Sequence, residues 1–261
     1  MNIHIDKEKF DYIMNNTKIF GEFVVGSKLY GLDNENSDTD YLIIYNPFKN
    51  ELTSPFTNHH QYQYKDVENN IDYNLVNVVD FVRNLVSGDS TINYELLHSK
   101  DFQENESLGW LSKYIDKFST YNICKSYLGM AKRDITHLNK RKTISDKLSG
   151  FMHAVRGLIS AQYIMGGCYT LNIMRDETLE SFRFYQMLTT IDPNKVILED
   201  IKNQREKLNT ALENKEIIRF LGVDTQIKIT YKLNSMCLVD NDKFLDIADQ
   251  YYYNNDVELK Y

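Results

Sequence analysis

The spacing of apolar positions changes character once along the chain. From Lys7 to Asn16 (KEKFDYIMNN) they fall at helical intervals, whereas Lys18 to Val25 is β-rich and predicts a strand that ends at Gly26-Ser27. Asp33, Asn34, Glu35, Asn36 and Ser37 are turn-formers. After them Asp38 to Tyr45 (DTDYLIIY) alternates and then runs apolar, the pattern of a strand entering a buried sheet. His60 to Val67 and Ile71 to Val78 flank Glu68, Asn69 and Asn70, which predicts a hairpin. Helices from about Val79 to Val86 and Ile92 to Leu97 complete this first unit.

Beyond about Phe102 the strand signals stop and helical periodicity takes over. The clearest case runs from Ser145 to Met165, where Leu148, Phe151, Met152, Val155, Ile159 and Gln162/Tyr163 share one stripe and Gly166-Gly167 supply a stop. Ile197, Ile201, Leu208 and Leu212 have core spacing in another helix, and the Tyr-rich stretch from Asp240 to Tyr253 predicts a last one. No internal repeat is visible. The expectation is an α+β protein, with a mixed sheet unit over residues 1–104 and an all-helical unit over 105–261.

Composition narrows the class. The 261 residues are 42% hydrophobic and 26% charged, which excludes disorder and collagen-like structure. With 11 Gly and 3 Pro there is no flexible linker, so the unit boundary should be a short turn. The apolar runs are too short to span a bilayer and the start, MNIHIDKEKF, has no apolar stretch; a soluble, unexported, cytoplasmic protein is expected. Cys124, Cys168 and Cys237 are far apart and include no CxxC, which suggests neither a disulfide framework nor zinc and fits a reducing compartment.

A net charge of −7 argues against a general nucleic-acid coating protein. Between Tyr121 and Ser160, however, Lys125, Lys132, Arg133, Lys140, Arg141, Lys142, Lys147 and Arg156 outnumber Asp134 and Asp146. That segment reads as a local anion site or as a solvated basic face.

The chemistry concentrates between Phe23 and Tyr41. A strand delivers Gly26 and Ser27 to a turn, where glycine lets the backbone approach a phosphate and serine adds a donor. Asp38 and Asp40 follow. Side chains two apart in a strand leave by one face, so both carboxylates point together while Thr39 points away. Like charges held that close repel unless a cation lies between them. Hard oxygen ligands beside a phosphate-binding turn favour Mg²⁺ over zinc.

An apolar residue, Gly-Ser, and then Asp-x-Asp entering an apolar strand resembles the DNA polymerase β-like nucleotidyltransferase superfamily. The fuller GSKLYG and SDTD stretches resemble its bacterial and phage "predicted nucleotidyltransferase" branch. The resemblance implies a palm-like mixed sheet followed by an all-helical domain. It also implies two Mg²⁺ ions and attack on the α-phosphate of an NTP, taken to be ATP, with pyrophosphate leaving. Asp38 and Asp40 would hold both metals. The superfamily's third carboxylate best matches Asp72 in Asn70-Ile-Asp-Tyr-Asn-Leu-Val76, with Asp66 and Glu68 as alternatives. Gly26, Ser27 and Lys28 would bind the phosphates.

Phe81 to Gly88 and Tyr94-Glu-Leu-Leu97 resemble the branch's next helix and Glu-x-Leu segment, although Glu95 is given no chemistry. His153-Ala-Val-Arg156 matches the end of a Lys-x-x-x-His-x-x-Arg helix, with Ser149 in the lysine's place. His153 and Arg156 are therefore expected at the nucleotide, Arg156 offsetting phosphate charge. The acceptor is open between tRNA or other nucleic acid, a small molecule, and a protein hydroxyl. Alternatives to this activity are a catalytically silent nucleotide-binding regulator and an antitoxin-like protein AMPylase. The Asn-, Lys- and Tyr-rich composition is compatible with an AT-rich genome, a phage's included, which would place the protein in a host cytoplasm.

Overall fold

Five strands form one mixed sheet in the order β1-β4-β5-β3-β2. They are β1 Asn2–His4, β2 Ile19–Val25, β3 Thr39–Tyr45, β4 Gln61–Asp66 and β5 Ile71–Asn77. The computed structural model describes residues 2–33, 35, 37–48, 51, 61–118, 120–140, 144–188, 194–214 and 222–237. The expected helix over 240–253, His60, Asn34 and Asn36 of the loop, and Arg141 and Lys142 of the basic segment lie outside the described residues, as do the side chains of Leu148 and Ile197.

β4 and β5 are the antiparallel hairpin that the sequence predicts, whereas β3 lies parallel to β5 and antiparallel to β2. β1 was not expected. It pairs parallel with β4 from Asn2 opposite Gln61 to His4 opposite Gln63, and three residues are too few to show alternation.

Strand alternation divides the core between two faces. On one, Ile43, Tyr45 and Leu75 pack with Ile13 of helix Lys7–Asn16. On the other, Phe20, Phe23, Val25, Leu42, Ile44 and Val76 join the core of the helical half. Both faces are thus covered, which is why Leu42-Ile43-Ile44-Tyr45 reads as an unbroken apolar run. Full burial of side chains such as Ile43 and Ile44 contributes about 1.5–3 kcal/mol each.

Helix Val78–Ser87 leaves β5 directly, its start fixed by Asn77 Oδ1, which accepts from the Asp80 amide at 2.8 Å. After helices Thr91–Leu96 and Lys100–Gln103, the described chain is helical: Thr120–His137, Ile144–Gly166, Leu171–Leu188, Asn194–Glu213 and Val223–Met236. Ile201 and Leu212 are wholly buried, as their spacing predicts. Helices Thr120–His137 and Ile144–Gly166 pack closely at Gly157, where an added Cβ would lie 2.8 Å from the Tyr127 carbonyl. Among the described residues no helix is long and apolar enough to cross a membrane.

Candidate active site

The parallel register of β3 and β5 sets Asp40 opposite Asp72. By alternation both carboxylates share the face toward the helical half with Leu42, Ile44 and Val76. Asp38 comes from the residue just before β3, and one carboxylate oxygen from each of Asp38, Asp40 and Asp72 lies within 4.8 Å of the others. Burial, then the negative charges of Asp38 and Asp72, push the Asp40 carboxyl up to about 6. The two other candidates for the third carboxylate are placed at the hairpin. Asp66 accepts from the amides of Glu68 and Asn69 at 3.2 Å each and closes the turn, and Glu68 is exposed in it.

Lys65, opposite Asp72 across the hairpin, brings its Nζ to 3.0 Å from Asp72 Oδ2. That hydrogen bond raises the Lys65 pKa. The lysine side chain is half exposed, so it screens the cluster only partly. A site of three oxygen donors with such mutual repulsion fits a hard divalent cation.

Gly26 ends β2 in the left-handed region, φ +70°, and a Cβ there would sit 2.3 Å from Asp40 Oδ2. Only glycine allows the turn to lie against that carboxylate. Gly26, Ser27, Asp38 and Asp40 line one cleft of about 880 Å³. Lys28 Nζ donates to Thr39 Oγ1 at 2.5 Å and lines a second cleft with Leu29 and His98, while its charge still acts to lower the Asp40 carboxyl.

The facing wall of the main cleft comes from two helices. Ser126, Gly129, Met130 and Arg133 line it from Thr120–His137, and Ser149, Met152, His153 and Arg156 from Ile144–Gly166. Both sets follow the same i, i+3, i+4, i+7 spacing of one helix face. The second set contains the expected His153 and Arg156. The first was missed, although a glycine inside a helix flanked by polar residues at that spacing was a usable signal.

Arg156 is 6% exposed rather than a free phosphate clamp. Its Nη1 donates to Glu95 Oε1 at 2.6 Å, and Glu95 is wholly buried. The helix stripe could place Arg156 at the cleft edge but could not show that its charge already has a partner. Within the basic segment Lys125 pairs with Glu213 and Arg156 with Glu95, while Lys132, Arg133, Lys140 and Lys147 are exposed, Arg133 lying 3.5 Å from Asp134.

A carboxylate trio on a mixed sheet, close to a Gly-Ser turn, belongs to the class of nucleotidyltransferases with a polymerase β-like core, and the sequence supports that class over most of its length. Residues 3–221 match the profile of the RNA repair pathway DNA polymerase beta family (RlaP), and the chain belongs to that family. Among solved structures it is similar to a nucleotidyltransferase-like protein from Exiguobacterium sibiricum 255-15, with 14% identity, 94% of this chain and 86% of that chain covered, and a TM-score of 0.29. No curated protein sequence gives a significant match.

Proposed function

We propose that the protein transfers a nucleoside monophosphate from an NTP, taken to be ATP, to a hydroxyl of an RNA acceptor and releases pyrophosphate. The observation that carries this reading is the convergence of Asp38, Asp40 and Asp72 beside the Gly26-Ser27 turn. Asp38, Asp40 and Asp72 would hold Mg²⁺, two ions in the superfamily's manner. The metal would neutralise phosphate charge and make the acceptor hydroxyl more acidic.

The chain's own residues do the rest. Gly26 and Ser27 seat the terminal phosphates with backbone and hydroxyl donors. Asp72 takes the proton of the acceptor hydroxyl as its oxygen bonds to the α-phosphorus and the bond to the bridging oxygen breaks. His153 borders the nucleotide's side of the cleft, and Arg156 shapes that wall. The residue 1–104 unit would supply the chemistry and the 105–261 unit the facing wall. An RNA acceptor is favoured by the family's description and by exposed Arg133 on the cleft.

The test is incubation with α-labelled NTPs, Mg²⁺ and separated RNA, protein and small-molecule fractions, with Asp38→Ala in parallel. Label in RNA, absent with the variant, is expected. Label confined to protein would make the protein an AMPylase instead, and no label in any fraction with NTP binding retained would make it a silent regulator.

A further inference from the structure

Two stretches have no part in the chemistry so far: Leu29-Tyr30-Gly31 after the phosphate turn, and Glu95-Leu96 on helix Thr91–Leu96. The structure brings them into contact. The wholly buried Glu95 carboxylate accepts from Tyr30 Oη at 2.5 Å, from Tyr127 Oη at 2.5 Å and from Arg156 Nη1 at 2.6 Å. These donors come from different parts of the chain. Tyr30 continues the Gly26-Ser27 turn, whereas Tyr127 and Arg156 belong to the two helices across the cleft.

Tyr30 is held twice. Its hydroxyl is bound by Glu95, and the Arg156 guanidinium lies over its ring, 4.3 Å from the centroid. Apart from the bond from Lys28 Nζ to Thr39 Oγ1 near its start, the segment it anchors has only local bonds among those described, such as Leu32 N to the Ser27 carbonyl at 2.9 Å and Gly31 N to the Lys28 carbonyl at 3.2 Å. Positive-φ glycines stand at both ends, Gly26 and Gly31. Glycine admits many backbone conformations, so these are the points about which an untethered segment would swing.

A buried ion pair is weak support for stability alone, since apolar residues of similar volume often serve as well. We propose that Glu95 is a positioning residue: through Tyr30 it fixes the Gly26–Gly31 segment beside the carboxylates, so that a nucleoside triphosphate finds its phosphate seat already formed. Pre-forming a seat raises affinity by removing the ordering that binding would otherwise require. This rests on the reading that Gly26 and Ser27 hold the phosphates.

The experiment compares Tyr30→Phe with Tyr127→Phe by calorimetry with MgATP and by thermal melting. Each substitution takes one hydroxyl from the same carboxylate and keeps the ring, and Tyr127→Phe also gives up the bond to the Tyr169 hydroxyl at 3.2 Å, so both should lower the melting temperature, Tyr127→Phe at least as much as Tyr30→Phe. Only Tyr30→Phe should bind MgATP about tenfold more weakly, the effect of one hydrogen bond to a charged group. Tyr127→Phe should stay within about twofold of wild type. Wild-type affinity in Tyr30→Phe, or equal weakening in both variants, would overturn the inference while leaving the proposed function standing. Failure of the wild type itself to bind any MgNTP would overturn both.

Discussion

Asp38, Asp40 and Asp72 gather three carboxylates with a half-exposed lysine beside them, while Glu95 is a single carboxylate with three donors. Asp38 and Asp40 of the first cluster and Tyr30 and Arg156 of the second line the same cleft, and the two clusters solve the problem of negative charge in opposite ways. Around Glu95 the charge is matched within the fold: two tyrosine hydroxyls and a guanidinium occupy most of the roughly four acceptor positions of a carboxylate. At Asp40 it is not matched, and burial with like charges lifts that carboxyl to about 6. A ligand that restores the balance is one reason for a fold to retain such imbalance, so under the proposed function the unmatched cluster is assigned to chemistry and the matched one to construction.

The sharpest way to break that contrast is to remove one charge from each side. Asp40→Ala should abolish transfer. Losing even an outer-shell partner of a metal lowers activity about 10–100-fold, and losing a direct ligand should exceed that. Metal-free melting should be unchanged or slightly raised, because a repelled charge has gone. Wild-type turnover in Asp40→Ala would remove the carboxylate cluster from the mechanism.

Arg156→Ala should do the reverse and unfold the protein more easily. It leaves the Glu95 charge buried without its cation, an effect of about 3–5 kcal/mol in chemical denaturation. A denaturation midpoint close to wild type would show that this pair is not structurally matched after all.

His98 sharpens the comparison by separating burial from pairing. It sits edge-on to Tyr94 and Tyr169, with ring centroids 5.0 and 4.8 Å away, and burial depresses its pKa to about 4. A histidine depressed below its unfolded value of about 6.5 binds fewer protons when folded. Its stabilising contribution is therefore complete above about pH 6.5 and declines as pH falls toward 4, by up to about 3 kcal/mol. The stability difference between wild type and His98→Leu should be flat above that window and shrink in favour of the variant within it. Parallel pH profiles would contradict the assignment.

The smallest effect belongs to the helical wall. Gly129 lines the cleft, and a Cβ there would meet nothing within 4 Å. Gly129→Ala should therefore stabilise helix Thr120–His137 by up to about 1 kcal/mol through propensity alone. Gly129→Leu should keep that fold but slow transfer, because its side chain projects into the cleft opposite the carboxylates. Full activity with the leucine would place the substrates elsewhere.

Local pattern determined most of the elements and half of the site. Period-two alternation and turn residues marked β2, β3 and the β4–β5 hairpin, and 3.6-residue stripes marked helices Ile144–Gly166 and Asn194–Glu213, because burial on one face leaves a periodic trace in the chain. Asp38 and Asp40 were legible as two carboxylates two residues apart where an apolar strand begins, although β3 itself starts only at Thr39. That Asp72, rather than Asp66 or Glu68, joins them was decided by the parallel β3–β5 register, which brings Asp40 opposite Asp72 across more than thirty residues of chain. The tertiary structure alone also decided that Lys28 turns to Thr39 and that Arg156 is already bound by Glu95. A sequence shows which face of its own element a charged side chain leaves by, but the partner that meets it there comes from another element, and only packing chooses that partner.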